Sequence, residues 1–391
     1  MEKNPRKHSI VAFIPLRGGS KSIPHKNIKN IAGKPLSFWV IETALKSSAV
    51  DKIFVSTDSE EIKQVVNQIK NDKLEIISRS KKSATDQAAT ELAMLEFAKN
   101  NKDFQDIILI QATSPLLTAK HLNEGVRKFK HNKYDSLLSV VRQKRFIWKE
   151  NNNTACPINY NPLNRPRRQN FDGFMVENGA FYITSRENLL KSRCRISGKT
   201  GLYEMPEETF VELDSPMDWM IAETLLIHKK QRDIQNKIKK IKMAIFDVDG
   251  VFTDGSVYLD ETGGESIKFS RIDGKGIEIL RENKYILAVI SSEESEIVRK
   301  RFQKLQIKEI HLGIHNKLNP YEKLKTTYKL NDEEICFCGD DIQDIPVLEK
   351  VGLSICPNNA RYQVKQICDY VSDKTGGEDF VRSIAEILIT K

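Results

Sequence analysis

Ile14-Pro15-Leu16-Arg17-Gly18-Gly19-Ser20-Lys21, followed by Pro24-His25-Lys26-Asn27, joins a glycine turn to three cations directly after an apolar run. Glycines let backbone N–H groups come close to an anion, and Arg17, Lys21 and Lys26 can neutralise it, so the loop suits phosphate. The preceding Ile10 to Ile14 reads as a buried strand, which puts the loop at a strand's carboxyl end, where open α/β sheets bind ligands. The spacing matches neither G-x-x-x-x-G-K-[ST] nor G-x-G-x-x-G, so neither a P-loop nor a dinucleotide site is supported.

Outward from this loop the chain alternates. Ile53 to Ser56, Ile107 to Ile110 and Ser136 to Val141 read as strands, and Leu36 to Ser47, Thr90 to Asn100 and His121 to His131 as helices. Such alternation predicts a mostly parallel sheet with helices on both faces. Lys149 to Asn170, rich in Asn, Pro and Arg, breaks the pattern and reads as a long substrate loop. Trp219 to His228 reads as a helix running into the basic, apolar-poor Lys229 to Lys237, and a new alternation starts at Met243. A chain of 391 residues exceeds what one core serves. The expected organisation is a first domain over 1–230, a linker over 231–240 and a second domain over 241–391.

Composition narrows the function classes. Hydrophobic residues at 39% and charged residues at 29% are ordinary for a globular protein. The net charge of +9 is spread along the chain rather than gathered in a stripe, which argues for anionic substrates and a solvated surface rather than nucleic acid. No run approaches the ~18 apolar residues of a membrane span, and the polar N-terminus does not read as a signal peptide, so no membrane role and a cytoplasmic location are expected. Six cysteines without paired C-x-x-C spacing argue against zinc and for reduced thiols.

In the second half, Asp247-Val248-Asp249-Gly250 follows the apolar run Met243 to Phe246, placing two carboxylates at a strand's carboxyl end. Ser291 ends the next strand, Tyr285 to Ile290, and Lys317 precedes a helix. Gly339-Asp340-Asp341-Ile342-Gln343-Asp344 follows the strand Ile335 to Cys338 and offers oxygen ligands to Mg²⁺.

Five separated motifs in the first half resemble, in order, those of the CMP-sialic acid synthetases, which load a nine-carbon keto acid sugar onto CMP from CTP. They are the opening loop with Gly33-Lys34-Pro35-Leu36; Arg79 with Asp86, Ala88 and Thr90; Gln111-Ala112-Thr113-Ser114-Pro115; Arg167-Arg168-Gln169; and Glu177-Asn178-Gly179-Ala180-Phe181-Tyr182, closed by Glu212-Leu213-Asp214. Leu117 stands where many bacterial members carry arginine, and Glu212 where aspartate is usual. The resemblance implies that Arg17, Ser20 and Lys21 hold the CTP phosphates, with Arg17 and Lys21 stabilising charge on the reacting phosphorus, and that Lys26 adds a further cation. By the same carry-over Asn27, Arg79, Ala88 and Thr90 contact the cytidine, Asn178 the ribose, and Gln111 and Arg168 the sugar. Glu212 and Asp214, read as one face of a strand end, would share Mg²⁺.

The Asp247-Val248-Asp249 run with Ser291, Lys317 and Asp340 is similar to the four motifs of the haloacid dehalogenase-like phosphatases. In that chemistry Asp247 would attack phosphorus, Asp249 would act as acid and base, and Asp247, Asp249 and Asp340 would bind Mg²⁺. Val257-Tyr258-Leu259 and Ile267-Lys268-Phe269 read as a hairpin around Asp260 to Gly264, followed by Asp273-Gly274-Lys275-Gly276-Ile277, and no cap domain fits between Asp249 and Ser291. This resembles the capless phosphatases of keto acid sugar 8- or 9-phosphates, which assemble as tetramers; Gly376-Gly377-Glu378-Asp379 is acidic where that group is basic.

The expected fold is therefore α/β, with two doubly wound domains: an N-terminal Rossmann-like nucleotidyltransferase and a C-terminal capless haloacid dehalogenase-like domain. Animal CMP-sialic acid synthetases share this two-part plan, but their nucleophilic aspartate is replaced and the second domain serves assembly. With Asp247 and Asp249 both present, the expected activity is bifunctional: dephosphorylation of a nonulosonate 9-phosphate, then CMP transfer from CTP to the free sugar by a homotetramer. The alternatives are a silent tetramerisation domain, synthesis of CMP-3-deoxy-manno-octulosonate with 8-phosphate hydrolysis, or a nucleotide-binding regulator.

Overall fold

The computed structural model describes residues 8–20, 22–85 and 87–390. Contacts divide the chain at Lys229 into two units. Each is built around an open sheet whose order reverses at the strand that comes first in the chain.

The first unit carries a seven-stranded sheet ordered Thr200–Met205, Ser136–Gln143, Phe174–Ser185, Phe104–Ile110, His8–Leu16, Lys52–Thr57, Leu74–Ser78. All neighbours run parallel except Phe174–Ser185, which is antiparallel to both of its partners. Near-continuous apolar strands mark a sheet covered on both faces. Ile10, Ala12, Ile14 and Leu16 enter a core with Val40, Ile41 and Ala44 of helix Leu36–Lys46, while Val11 and Phe13 enter the other with Met94 and Phe97 of helix Thr90–Asn100. From His8–Leu16 the chain fills one side of the sheet, then returns to lay Phe104–Ile110 on the other. The crevice between the carboxyl ends of these two strands is the position where doubly wound sheets take ligands.

The second unit repeats the plan with six parallel strands, ordered Glu309–His311, Ile286–Ile290, Met243–Phe246, Ile335–Cys338, Leu353–Cys356, Tyr370–Val371. Its reversal lies between Met243–Phe246 and Ile335–Cys338, the two strands whose carboxyl ends carry Asp247 and Asp340. Between Asp249 and the sheet strand Ile286–Ile290 that leads to Ser291 lie the hairpin Val257–Leu259 with Glu265–Ile267 and the helix Arg271–Glu282, with no inserted domain. Asp273 of that helix is buried, and its carboxylate accepts the Arg382 N–H at 3.1 Å, so the Asp273-Gly274-Lys275-Gly276 signature serves to cap the helix Phe380–Ile389.

Two segments hold more regular structure than their composition suggests. Residues expected to form the linker are helical as far as Ile238, within one helix Pro216–Ile238; its Trp219, Ala222 and Leu226 pack in the first unit, and Ile234 and Ile238 in the second. The long loop is not featureless: it holds the hairpin Trp148–Asn151 with Thr154–Pro157 and the short 3₁₀ turns Pro162–Asn164 and Arg168–Asn170. Arg165 over Phe146, and Phe146 against Tyr160 and Phe171, supply the small core that a window rich in Asn and Pro conceals. Among the described residues no helix is long and apolar enough to cross a membrane.

Candidate active sites

At the first reversal point lies a cleft of about 290 Å³ lined by Pro15, Arg17, Gly19, Ser20, Lys26, Asn27, Arg79, Thr85, Ala88, Thr90, Gln111, Ala112 and Thr113. Eight residues singled out from sequence thus come together: Arg17, Ser20, Lys26, Asn27, Arg79, Ala88, Thr90 and Gln111. Lys21, and Asp86 of the same motif series, lie outside the described residues. The glycine loop is braced from both sides. The Gly18 N–H donates to Asp58 Oδ1 at 3.0 Å, and Asn27 Nδ2 donates to the Arg17 carbonyl at 2.9 Å. Thr85 was missed, since a lone threonine carries no spacing signal; Thr113, within the Gln111 to Pro115 motif but given no role of its own, has its hydroxyl buried without a hydrogen-bond partner among the described residues.

Glu212 and Asp214 do not lie on a strand. They sit in an irregular connection, where the Leu213 N–H donates to the Thr113 carbonyl at 3.3 Å and the Leu213 side chain is fully buried against Leu36, Trp219 and Ala222. The alternation Val211-Glu212-Leu213-Asp214 imitates a strand because one apolar anchor is flanked by two acids. Lys26 ties this connection to the cleft, donating to the Leu213 carbonyl at 2.7 Å with Asp214 Oδ1 3.4 Å away. Glu212 is exposed, yet its carboxylate reaches Gly179: a Cβ there would lie 2.7 Å from Glu212 Oε1 and 2.8 Å from Gln111 Oε1. Gly179 has φ +65° in a register shift of the strand Phe174–Ser185, and it is the point where these side chains converge. Partial desolvation of the Glu212 carboxyl against Gly179 and Gln111, and the charge of Asp214, raise its pKa, opposed by Lys26 and Arg195. A carboxylate so held, with a second beside it, suits a divalent cation.

Asn178 and Arg168 do not line this cleft. Asn178 is 1% exposed, and its amide donates to Thr209 Oγ1 at 3.2 Å and the Thr209 carbonyl at 3.3 Å, so it pins the register shift from inside. Arg168 is exposed and lines a separate depression with Arg142, Gln143, Lys144, Arg145 and Glu207.

In the second unit, Lys317 is 2% exposed, with Nζ 2.7 Å from Asp247 Oδ2 and 2.7 Å from Asp344 Oδ1. Burial works to discharge the lysine, but the two carboxylates outweigh it and hold its pKa up. Burial and Asp344 raise Asp247, while Lys317 opposes them. Asp344 Oδ2 also accepts the N–H groups of Asp340 and Asp341 at 3.0 and 3.2 Å, which shapes the loop. Asp247, Asp340 and Asp344 bring carboxylate oxygens within 4.8 Å of one another, and burial with Asp344 and Asp341 pushes Asp340 up to about 7. Such a cluster favours either a proton or a divalent cation, so these residues fit Mg²⁺. Gly250, at φ +72°, keeps Asp340 in place, since a Cβ there would overlap its carboxylate at 2.0 Å.

Asp249, expected as a further metal ligand, stands outside this group; its carboxylate accepts from Thr253 Oγ1 at 3.3 Å, and burial raises its pKa. Ser291 is buried at the end of Ile286–Ile290, with Oγ accepting the Glu293 N–H at 3.2 Å. Asp344 was not assigned a role in advance, although it closes the Gly339 to Asp344 run. Its partnership with a lysine 27 residues away is a tertiary fact.

Each unit matches a known family. A cytidylyltransferase family profile matches residues 11–242, and a haloacid dehalogenase-like hydrolase profile matches residues 282–379. N-acylneuraminate cytidylyltransferase A of Danio rerio is 33% identical over 396 residues, covering 100% of this chain and 91% of its own. The chain belongs to the N-acylneuraminate cytidylyltransferase family. Its second half is a haloacid dehalogenase-like hydrolase domain, 33% identical over 157 residues to 3-deoxy-D-manno-octulosonate 8-phosphate phosphatase KdsC of Escherichia coli, which covers 40% of this chain and 84% of that one. The solved phosphatase of that name from Yersinia pestis is 30% identical, with a TM-score of 0.40 over 40% of this chain and 85% of its own.

Proposed function

We propose that this member of the cytidylyltransferase family is bifunctional: it removes the phosphate of a nonulosonate 9-phosphate and transfers CMP from CTP to the free sugar, in the cytoplasm. The observation that carries the phosphatase half is Lys317 held between Asp247 and Asp344, since a buried cation with two buried carboxylates is costly for a domain that only assembles. An Asp247 oxygen attacks phosphorus, and the ester oxygen leaves with a proton from Asp249. Asp249 then takes a proton from water, which attacks the same phosphorus and restores Asp247 with release of phosphate. Lys317 has three donors; two are committed to the carboxylates, and the third can meet a phosphoryl oxygen alongside Ser291. Mg²⁺, held by Asp247 and Asp340 with Asp344 beside them, would neutralise charge on the phosphoryl group.

In the first half the sugar's anomeric oxygen attacks the α-phosphorus of CTP and pyrophosphate leaves. Arg17, Ser20, Lys21 and Lys26 hold the phosphates, Asn27, Arg79, Ala88 and Thr90 the cytidine, and Gln111 the sugar; Glu212 and Asp214 would hold a cation there. Asn178 and Arg168 are supported less: the first acts through the register shift, and the second lies away from the cleft. The assembly we propose is a homotetramer built through the second half, supported by Val257, Tyr258 and Leu259, which are 50 to 70% exposed; light scattering on the purified chain would report it.

The test is a product assay with purified protein, CTP, Mg²⁺ and keto acid sugars, each free and phosphorylated. Phosphate from a nine-carbon 9-phosphate and CMP-sugar from the same free acid are expected. A preference for the eight-carbon octulosonate in both assays would favour the second reading, which the likeness to the octulosonate 8-phosphate phosphatase of Escherichia coli supports. Phosphate release from no sugar would leave the second half an assembly module.

Gly179→Ala offers a check on the transfer site. The positive φ costs about 1 to 2 kcal/mol for a residue with a Cβ, and the added atom displaces Glu212 and Gln111 together. Initial rates should show CMP transfer lowered at least about tenfold with phosphate release unchanged. Equal transfer rates would separate Gly179, Gln111 and Glu212 from the reaction.

A further inference from the structure

Arg79 and Arg17 line the same cleft, and each repels the other's charge. Arg79 Nε is moreover buried without a hydrogen-bond partner among the described residues, so its guanidinium needs a hold from elsewhere. Glu96 does not line the cleft. It lies on the helix Thr90–Asn100, whose first residue does, and it binds the turn after Arg79 with both oxygens. Glu96 Oε1 accepts from Ser80 Oγ at 2.7 Å, and Oε2 from Ser83 Oγ at 2.7 Å. Ser83 is fully buried, and its N–H donates to the Ser80 carbonyl at 3.1 Å, closing the turn. The Ser83 carbonyl in turn accepts from Arg79 Nη2. A continuous chain thus runs from one carboxylate, through two hydroxyls and a carbonyl, to the guanidinium.

We propose that Glu96 is a positioning residue for nucleotide binding: by clamping Ser80 and Ser83 it fixes the carbonyl that aims Arg79 into the cleft. This rests on the reading of the cleft as the CTP site. Charge-assisted hydrogen bonds are the strong ones, and bidentate geometry adds direction, so losing the carboxylate frees the turn and the guanidinium together. Arg79, which Asp58 attracts and Arg17 repels, then loses the carbonyl that aims it, and its share of the binding energy is lost. Glutamine is the informative replacement, because its amide can accept from one serine hydroxyl and donate to the other, keeping the clamp without the charge.

The experiment is a calorimetric titration of the full chain with CTP, with thermal melting to confirm that each variant is folded. Glu96→Ala should raise Kd at least about tenfold, and Glu96→Gln should stay within about threefold. A combined Ser80→Ala and Ser83→Ala variant, which keeps the carboxylate and removes its hold, should reproduce the loss. In an Arg79→Lys background, Glu96→Ala should add less than about twofold, because the group it positions is gone. CTP affinity unchanged in folded Glu96→Ala would overturn the proposal, and so would a full additional loss in the Arg79→Lys background. A chain that does not bind CTP with Glu96 and Arg79 intact would overturn the cleft reading first, and the proposal with it.

Discussion

Asp247→Asn is expected to cut phosphate release at least about 10³-fold while leaving CMP transfer to free sugar within about twofold. An amide oxygen is far too weak a nucleophile to form the phosphoenzyme, and the change removes one negative charge from the group of Asp247, Asp340 and Asp344. The fold should tolerate it, because asparagine keeps the shape and can still accept the Val248 N–H that Asp247 Oδ1 accepts at 2.7 Å. The readouts are inorganic phosphate from the sugar phosphate and CMP-sugar from the free acid, measured on one preparation. Loss of both activities in a folded variant would mean that the halves are not chemically independent. Retention of phosphate release would remove Asp247 as nucleophile.

Lys317→Met should produce the largest change in stability. Methionine matches the length of the lysine stem and fills its volume, so the change isolates the ammonium. Removing one partner from a buried ionic group costs about 3 to 5 kcal/mol, because the remaining charges stay buried and uncompensated. For a unit of this size that is a drop of about 10 °C in its thermal transition. The pH dependence carries a definite sign. Without Lys317, burial and Asp344 raise Asp247 further above its unfolded value. A carboxyl raised in the folded state contributes stability that is present below the unfolded pKa and is lost as pH rises through the folded one. The destabilisation should therefore be smaller at pH 5 than at pH 8, and phosphate release should be lost at both. A melting temperature unchanged at pH 8 would show that Lys317 is not compensating the two aspartates.

Where chemistry is local, it was legible in sequence. Arg17-Gly18-Gly19-Ser20 and Asp247-Val248-Asp249 follow their strands at once, so the strand pattern alone carried them to the carboxyl edge of a sheet. The alternation of strands and helices pointed to mostly parallel sheets covered on both faces, while the reversal points that gather Arg17 with Gln111 and Asp247 with Asp340 came only with the strand order. What local pattern could not supply were the partnerships between distant residues. Asp344 meets Lys317, and Glu96 meets Ser83, only after the sheet is assembled. The hold on Asn178 escaped for a related reason: an amide in a motif looks like a ligand, but a register shift buries polar groups that need partners of their own, here Thr209. Glu212 and Asp214 were placed on a strand because two-residue alternation cannot tell a strand from an irregular segment with one buried leucine.

The single antiparallel strand, Phe174–Ser185, also bears on how the first unit comes into being during synthesis. It fills the place between Phe104–Ile110 and Ser136–Gln143, both made earlier, and each pairs with it along one edge. Until residue 185 has left the ribosome, Phe104–Ile110 keeps one bare edge, and Ser136–Gln143, whose other partner Thr200–Met205 is made later still, has no strand to pair with; bare apolar edges are the kind of surface on which chains add to one another. The sheet thus extends past Phe104–Ile110 only when Phe174–Ser185 arrives, and that strand brings the earlier-made Ser136–Gln143 in with it. A nascent chain halted within the hairpin segment of 146–171 carries both edges open, whereas one released after Met205 has every strand of the sheet paired.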